Sequence, residues 1–266
     1  MQLALILVFT ALVHAIDTGA YAARLAGVRT GRLALAGSLY NALAIVSRGA
    51  NTVAGPLIAM MTDLAASKQH ADSLLPGFRL ILLASSAGTL LAALLIPSLS
   101  RVLATGVASY EKRRSLPQVL VNSASVRGLY QIRSGLKRPS LAAVRESRSS
   151  PFPRRLLLFS TLATAAFTVS NFAALYASAL FPLGARTAAS LAPLMTGAAV
   201  FVTTFIITPS VALVTDEALR GERQLEDVTY ITIWQVGARL VGTLLAQLFL
   251  VPMGWALTEI TRLFIG

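Results

Sequence analysis

The sequence predicts an all-α integral membrane protein with six transmembrane helices, arranged as a 3+3 inverted repeat. Three observations carry this reading: an apolar composition, charge-free stretches of membrane-spanning length, and a motif that recurs in the two halves of the chain. Of 266 residues, 55% are hydrophobic and only 13% charged, and the mean hydropathy is +0.70. That charged share is about half the usual value for a soluble domain, so the chain lacks the polar surface to cover a soluble core of this size. A water-soluble enzyme and a disordered chain are both excluded.

The spans follow in order, each judged against the roughly 20 apolar residues that a helix needs to cross hydrocarbon. The N-terminal stretch is charge-free for 16 residues and reaches useful length by including Asp17. It lacks the basic n-region of a signal peptide, which favours a retained helix. Leu33 to Thr62 is interrupted once, by Arg48, and Leu80 to Ser100 not at all. After the segment 101–155 come Leu156 to Ala185, Thr187 to Thr215, and Val228 to Thr258, the last interrupted only by Arg239. Residues 1–100 thus form a first three-helix half, 101–155 a basic loop, and 156–266 a second three-helix half.

Charge sets the orientation. Residues 101–155 hold twelve Lys/Arg and two acids, Glu111 and Glu146, which is +10 of the net +12. A short-loop excess of basic residues marks the cytoplasmic side. Alternation then places the turn bearing Arg24, Arg29 and Arg32 inside with the 216–227 loop, and both termini outside. The same basic loop would lie against anionic lipid headgroups, each charge near the surface contributing about 1 kcal/mol. Residues 119–136 contain enough Val, Leu, Tyr and Ile for an interfacial helix. Serving only to fix topology is the plainer role for this loop. No nucleic-acid-reading module accompanies its charge.

The repeat rests on Pro56 to Asp63 and Pro209 to Asp216, both of which read P-x-x-A-x-x-T-D at an offset of 153 residues. Upstream, Tyr21-Ala22 leads to Arg29-Thr30 as Tyr176-Ala177 leads to Arg186-Thr187. Three spans per half is an odd number, so the second half enters the membrane from the opposite side. Alternating access follows naturally from that architecture, which favours a transporter over a one-sided enzyme.

Charges within spans cost roughly 2.5–3.5 kcal/mol each on insertion scales and need a reason. Arg48 lies near the middle of its span, with Asn41 and Asn51 near the same helical face. Arg239 interrupts the last span, and His14 and Asp17 share a face of the first. One reading is a cationic cavity in which Arg48 and Arg239 hold a phosphate by forked, charge-assisted bonds. The other is internal pairing, with Asp17 neutralising one arginine and fixing helix register. For His14 and Asp17, hydrogen bonding within the bundle competes with proton coupling. The chain has no cysteine, no HExxH-type spacing, no GxxxxGK[ST] and no GxSxG, so no metal, cofactor or catalytic residue is assigned.

The block Ile16-Asp17-Thr18, then Arg24-Leu25-Ala26-Gly27-Val28-Arg29-Thr30-Gly31-Arg32, Asn41, Ser47-Arg48, Asn51 and Pro56-Leu57 resembles the Amj family of bacterial lipid II flippases. Size, span number and the basic central loop fit the same family. The resemblance implies a multi-pass protein of the bacterial cytoplasmic membrane that moves lipid II, an undecaprenyl-pyrophosphate-linked peptidoglycan precursor, from the inner to the outer leaflet. It transfers no site residues. The physical reading supplies them: Arg24, Arg29 and Arg32 attract the pyrophosphate, Arg48 and Arg239 hold it with Asn41 and Asn51 nearby, and the prenyl tail stays in lipid. His14 and Asp17 are the candidates for coupling. The alternatives are carriage of another anionic lipid, a membrane enzyme of the lipid pyrophosphatase type built on the same arginines, and a non-transporting scaffold. The sequence assigns no oligomeric state.

Overall fold

The computed structural model describes residues 2–68, 70–115, 118, 140–148 and 153–265, without the side chains of Leu43, Val46, Arg48 and Arg113. The expected interfacial helix at 119–136 lies outside the described residues. Those described form helices and turns, with no strand. That is the expected answer for backbone in lipid, where each N–H and C=O must be satisfied within its own segment.

Helix α1 spans Gln2–Thr30, α2 Leu33–Ser67 and α3 Leu74–Arg113. A short α4, Leu141–Ser147, precedes α5, Arg154–Leu180. The next crossing is built in pieces: α6 Ala185–Ser190, α7 Ala192–Val202, a π-helical stretch Thr203–Ile207, and α8 Thr208–Leu219. Helix α9, Leu225–Ile265, ends the described chain. Among the described residues, five segments are long and apolar enough to cross a membrane: Gln2–Thr30, Ala71–Lys112, Arg154–Leu180, Pro182–Leu219 and Leu225–Ile265. The remaining long helix, α2, has 35 residues, about 52 Å at 1.5 Å per residue, and carries Arg48.

The basic segment does not begin as a loop. Helix α3 continues through Arg113, and α4 docks on α9, where Trp234 Nε1 donates to the Ser147 carbonyl at 2.9 Å and the Tyr230 hydroxyl to Glu146 at 3.1 Å. The α1–α2 turn is made by Gly31, whose φ of 68° suits glycine; Arg32 N–H reaches back to the Gly27 carbonyl at 2.9 Å and closes the helix.

Burial is arranged for a lipid solvent. Ser85, Ser86, Thr89 and Thr243 are buried, whereas Leu91, Leu94, Phe205, Leu248 and Phe264 are exposed. Two pairs of long helices pack most intimately, α1 on α3 and α5 on α9. Close approach requires small residues at the crossings, and Gly88 and Gly242 sit there. The halves meet where Ser86 Oγ donates to Thr243 Oγ1 at 3.0 Å.

Side-chain bonds sort the segments into two ends. Arg32 with Glu111, Arg29 with Ser100, and Trp234 with Ser147 gather the 29–32 turn, the end of α3, α4 and the start of α9. Gln2 with the Leu57 carbonyl, and the Tyr176 hydroxyl with Asp72 at 2.6 Å, gather the opposite end. An apolar cluster at that opposite end joins Ile6, Ile58, Phe78, Phe172 and Leu250, with Phe78 edge-on to Phe172 at 5.4 Å. A second cluster, containing Ala22, Leu39, Val107 and Val228, fills the first end.

Candidate functional site

Polar side chains deep in three helices converge. Helix α1 contributes Asp17, α2 contributes Tyr40 and Ser47, and α9 contributes Arg239. Arg239 Nη2 lies 3.4 Å from Asp17 Oδ2, with the two side chains 17% and 33% exposed. Asp17 Oδ1 accepts from the Ser47 hydroxyl at 3.1 Å, and the Tyr40 hydroxyl donates to the Ile16 carbonyl at 2.9 Å. Arg239 Nε is buried and has no acceptor, and His14 Nδ1 is likewise buried without a partner.

This cluster faces open space. Asp17, Tyr40, Thr164, Thr203, Thr204 and Arg239 line a cavity of about 260 Å³. A neighbouring cavity of about 330 Å³ is lined by Arg24, Tyr40, Asn41, Thr208, Thr215 and Asp216. Tyr40 lines both, so the two adjoin, and we call them together the passage; α1 and α2 wall one side of it and α5, α7, α8 and α9 the other. The π-helical stretch supplies Thr203 and Thr204 to its wall. Pro209, lacking an N–H, sits just beyond and disfavours regular α-helical bonding there.

The sequence-derived candidates separate into groups. Arg239, Asp17, Arg24 and Asn41 line the passage. Arg24 is fixed there by a bond from Nη1 to Gln235 and lies 5.8 Å over the Tyr21 ring. Arg29 instead donates to Ser100 Oγ at 2.9 Å. Arg32 pairs with Glu111 at 2.7 Å, with both side chains largely in solvent. Asn51 is exposed, and His14 is buried within α1. Arg48 occupies mid-α2, next to Ser47, but its side chain lies outside the described residues.

Sequence reasoning missed Tyr40, Gln235, Thr203 and Thr204. An uncharged hydroxyl or amide in a span is too common to stand out; the break in helical regularity before Pro209 was the available signal. Among the described residues, no three His, Cys, Asp or Glu side chains gather as metal ligands. The Arg220–Glu222 pair in the α8–α9 turn is exposed, with bonds of 2.6 and 3.0 Å that hold the Glu222 carboxyl below its ordinary range.

No solved structure matches the chain. Over 264 residues it is 31% identical to the Lipid II flippase Amj of Bacillus subtilis (strain 168), a match covering 99% of this chain and 98% of that protein. The family model described as Amj, Alternate to MurJ, matches residues 9–261. The chain belongs to the Amj family.

Proposed function

We propose that this protein is a lipid II flippase: a transporter, not an enzyme, that moves the undecaprenyl-pyrophosphate-linked peptidoglycan precursor from the inner to the outer leaflet of the cytoplasmic membrane. The observation that carries this reading is the similarity, end to end, to a relative named for that activity. The passage is the physical counterpart. It places two arginines, Arg24 and Arg239, in an otherwise apolar bundle, where guanidinium groups can replace water around a phosphate. The same proposal gives Arg48 a part in holding the headgroup, while Arg29 and Arg32 act earlier, by attracting it to the entrance.

The finer architecture belongs to the same proposal: six spans in a 3+3 inverted repeat, both termini outside, and the 101–155 segment inside against anionic lipids. Several pairs support the repeat. Ala185 to Leu219 covers the same length as α2. Pro56 and Pro209, Gly88 and Gly242, and Pro97 and Pro252 recur at offsets of 153, 154 and 155 residues. Thr62 bonds back to the Ile58 carbonyl as Thr215 does to that of Val211.

We read the two ends as alternate gates. At the end away from the basic residues, Ala54 and Ile58 of α2 share an apolar cluster with Phe172 and Ala173 of α5. At the end carrying Arg24 and Asp216, which the basic residues assign to the cytoplasm, Ala22, Leu39 and Val107 cluster with Ala218 of α8 and Val228 of α9. Both seams join the two halves, and loosening one while the other holds would open the passage to one side at a time.

The test is headgroup accessibility in cells depleted of other lipid II flippases. Outer-leaflet lipid II, probed with an external reagent, should rise when this protein is expressed and stay low with Arg239→Ala. Lipid II that stays inside despite inserted wild-type protein overturns the assignment.

A further inference from the structure

We propose that Asp17 is a displaceable counter-ion: it occupies Arg239 in the empty carrier and is exchanged for a phosphate oxygen when the headgroup enters. This rests on the reading of the passage as the headgroup site. The pair joins α1 of the first half to α9 of the second through one contact of 3.4 Å. A buried ion pair that served only to hold two helices would offset its desolvation with short, forked bonds. Here the contact is long and single, and Arg239 Nε is buried with no acceptor. Asp17 is one-third exposed, and its other oxygen is held by Ser47 at 3.1 Å. Both charges line the cavity of about 260 Å³ that adjoins the one containing Arg24.

A phosphate offers what the guanidinium lacks: several acceptor oxygens in one place and a charge to match. With Asp17 on Arg239, the charge of that arginine is compensated in the empty protein, which lowers the cost of returning without cargo. With phosphate on Arg239, Asp17 keeps its bond to Ser47 and the Asp17–Arg239 tie between α1 and α9 is released. Return of Asp17 then helps expel the headgroup at the far side. Asp17 thus sets how tightly the substrate is held and how readily it leaves.

Binding of farnesyl pyrophosphate and of inorganic pyrophosphate to purified protein in nanodiscs, beside the flipping rate in cells, tests this. Asp17→Asn keeps an acceptor for Arg239 and a partner for Ser47 but removes the competing charge. It is expected to bind both probes about tenfold tighter and to flip more slowly. Asp17→Glu, which keeps the charge on a longer arm, is expected to bind no tighter than wild type, and Arg239→Gln is expected to lose binding. Wild-type binding with unchanged or weaker affinity in a folded Asp17→Asn protein overturns the counter-ion role alone. If Asp17→Asn does not fold, tighter binding by Asp17→Glu does so instead. Wild-type protein that binds neither probe overturns the headgroup site and the counter-ion role together.

Discussion

Gly88 of α3 lies against the main chain of Ala11 in α1 so closely that a Cβ would overlap the Ala11 carbonyl oxygen. At an offset of 154 residues, Gly242 of α9 meets α5 in the same way, with a Cβ placed 2.7 Å from the Thr161 carbonyl oxygen. In both places the neighbouring atom is backbone, which cannot swing aside. Gly88→Ala and Gly242→Ala should each lower stability by about 1–3 kcal/mol, the range for an overpacked contact. Gly237→Ala, with nothing within 4 Å of its Cβ, should not. Thermal unfolding of the three purified variants checks this, and equal melting temperatures would contradict the close packing.

The three arginines near the α1–α2 turn should separate in function. Arg24 is held in the passage by Gln235, whereas Arg32 is spent on an exposed pair with Glu111. Charge-assisted bonds to substrate are worth about 1.5–3 kcal/mol, so Arg24→Ala should slow flipping ten- to a hundredfold with insertion unchanged. Exposed pairs contribute about 0–1 kcal/mol, so Arg32→Ala should stay within a few fold of wild type. Rates in flippase-depleted cells, normalised to membrane level, decide between this and equal contributions from all three.

The π-helical stretch Thr203–Ile207 interrupts regular helix in the segment Pro182–Leu219, beside the passage. Replacing Pro209 restores the missing N–H and favours regular helix through the segment. Pro209→Ala should therefore slow flipping severalfold while leaving thermal stability equal or higher. Loss of stability with normal flipping would assign the proline to packing instead.

Much of this was legible in the sequence because membrane burial leaves a coarse mark. Runs without charge located the long helices, and the interruptions at Arg48 and Arg239 pointed to a cavity, which Arg239 lines together with Asp17. The sequence offered Asp17 as the partner of one of the two span arginines, and the structure pairs it with Arg239; which arginine it meets was not legible, since α1 and α9 lie at opposite ends of the chain and no periodicity connects them. Helix ends were also hidden. Charge marks where a helix leaves hydrocarbon, not where its hydrogen bonds stop, and so α3 runs on through Arg113. The role of Tyr40 depends on the crossing of α1 and α2, which only the packed structure supplies.

Topology is open to direct measurement because the chain has no cysteine, so a single introduced thiol reports its own side of the membrane. Glu222 lies in the α8–α9 turn at the end that also gathers Arg32 and Glu111, and Ser73 lies at the opposite end beside Asp72. Both positions are exposed, and neither lies in the passage. With both termini outside, Ser73→Cys should react with a membrane-impermeant maleimide in intact cells, and Glu222→Cys only after the membrane is opened. The reverse pattern would turn the molecule over. The Arg24 end of the passage would then face the outside, and the arginines would receive the headgroup after transfer instead of before it.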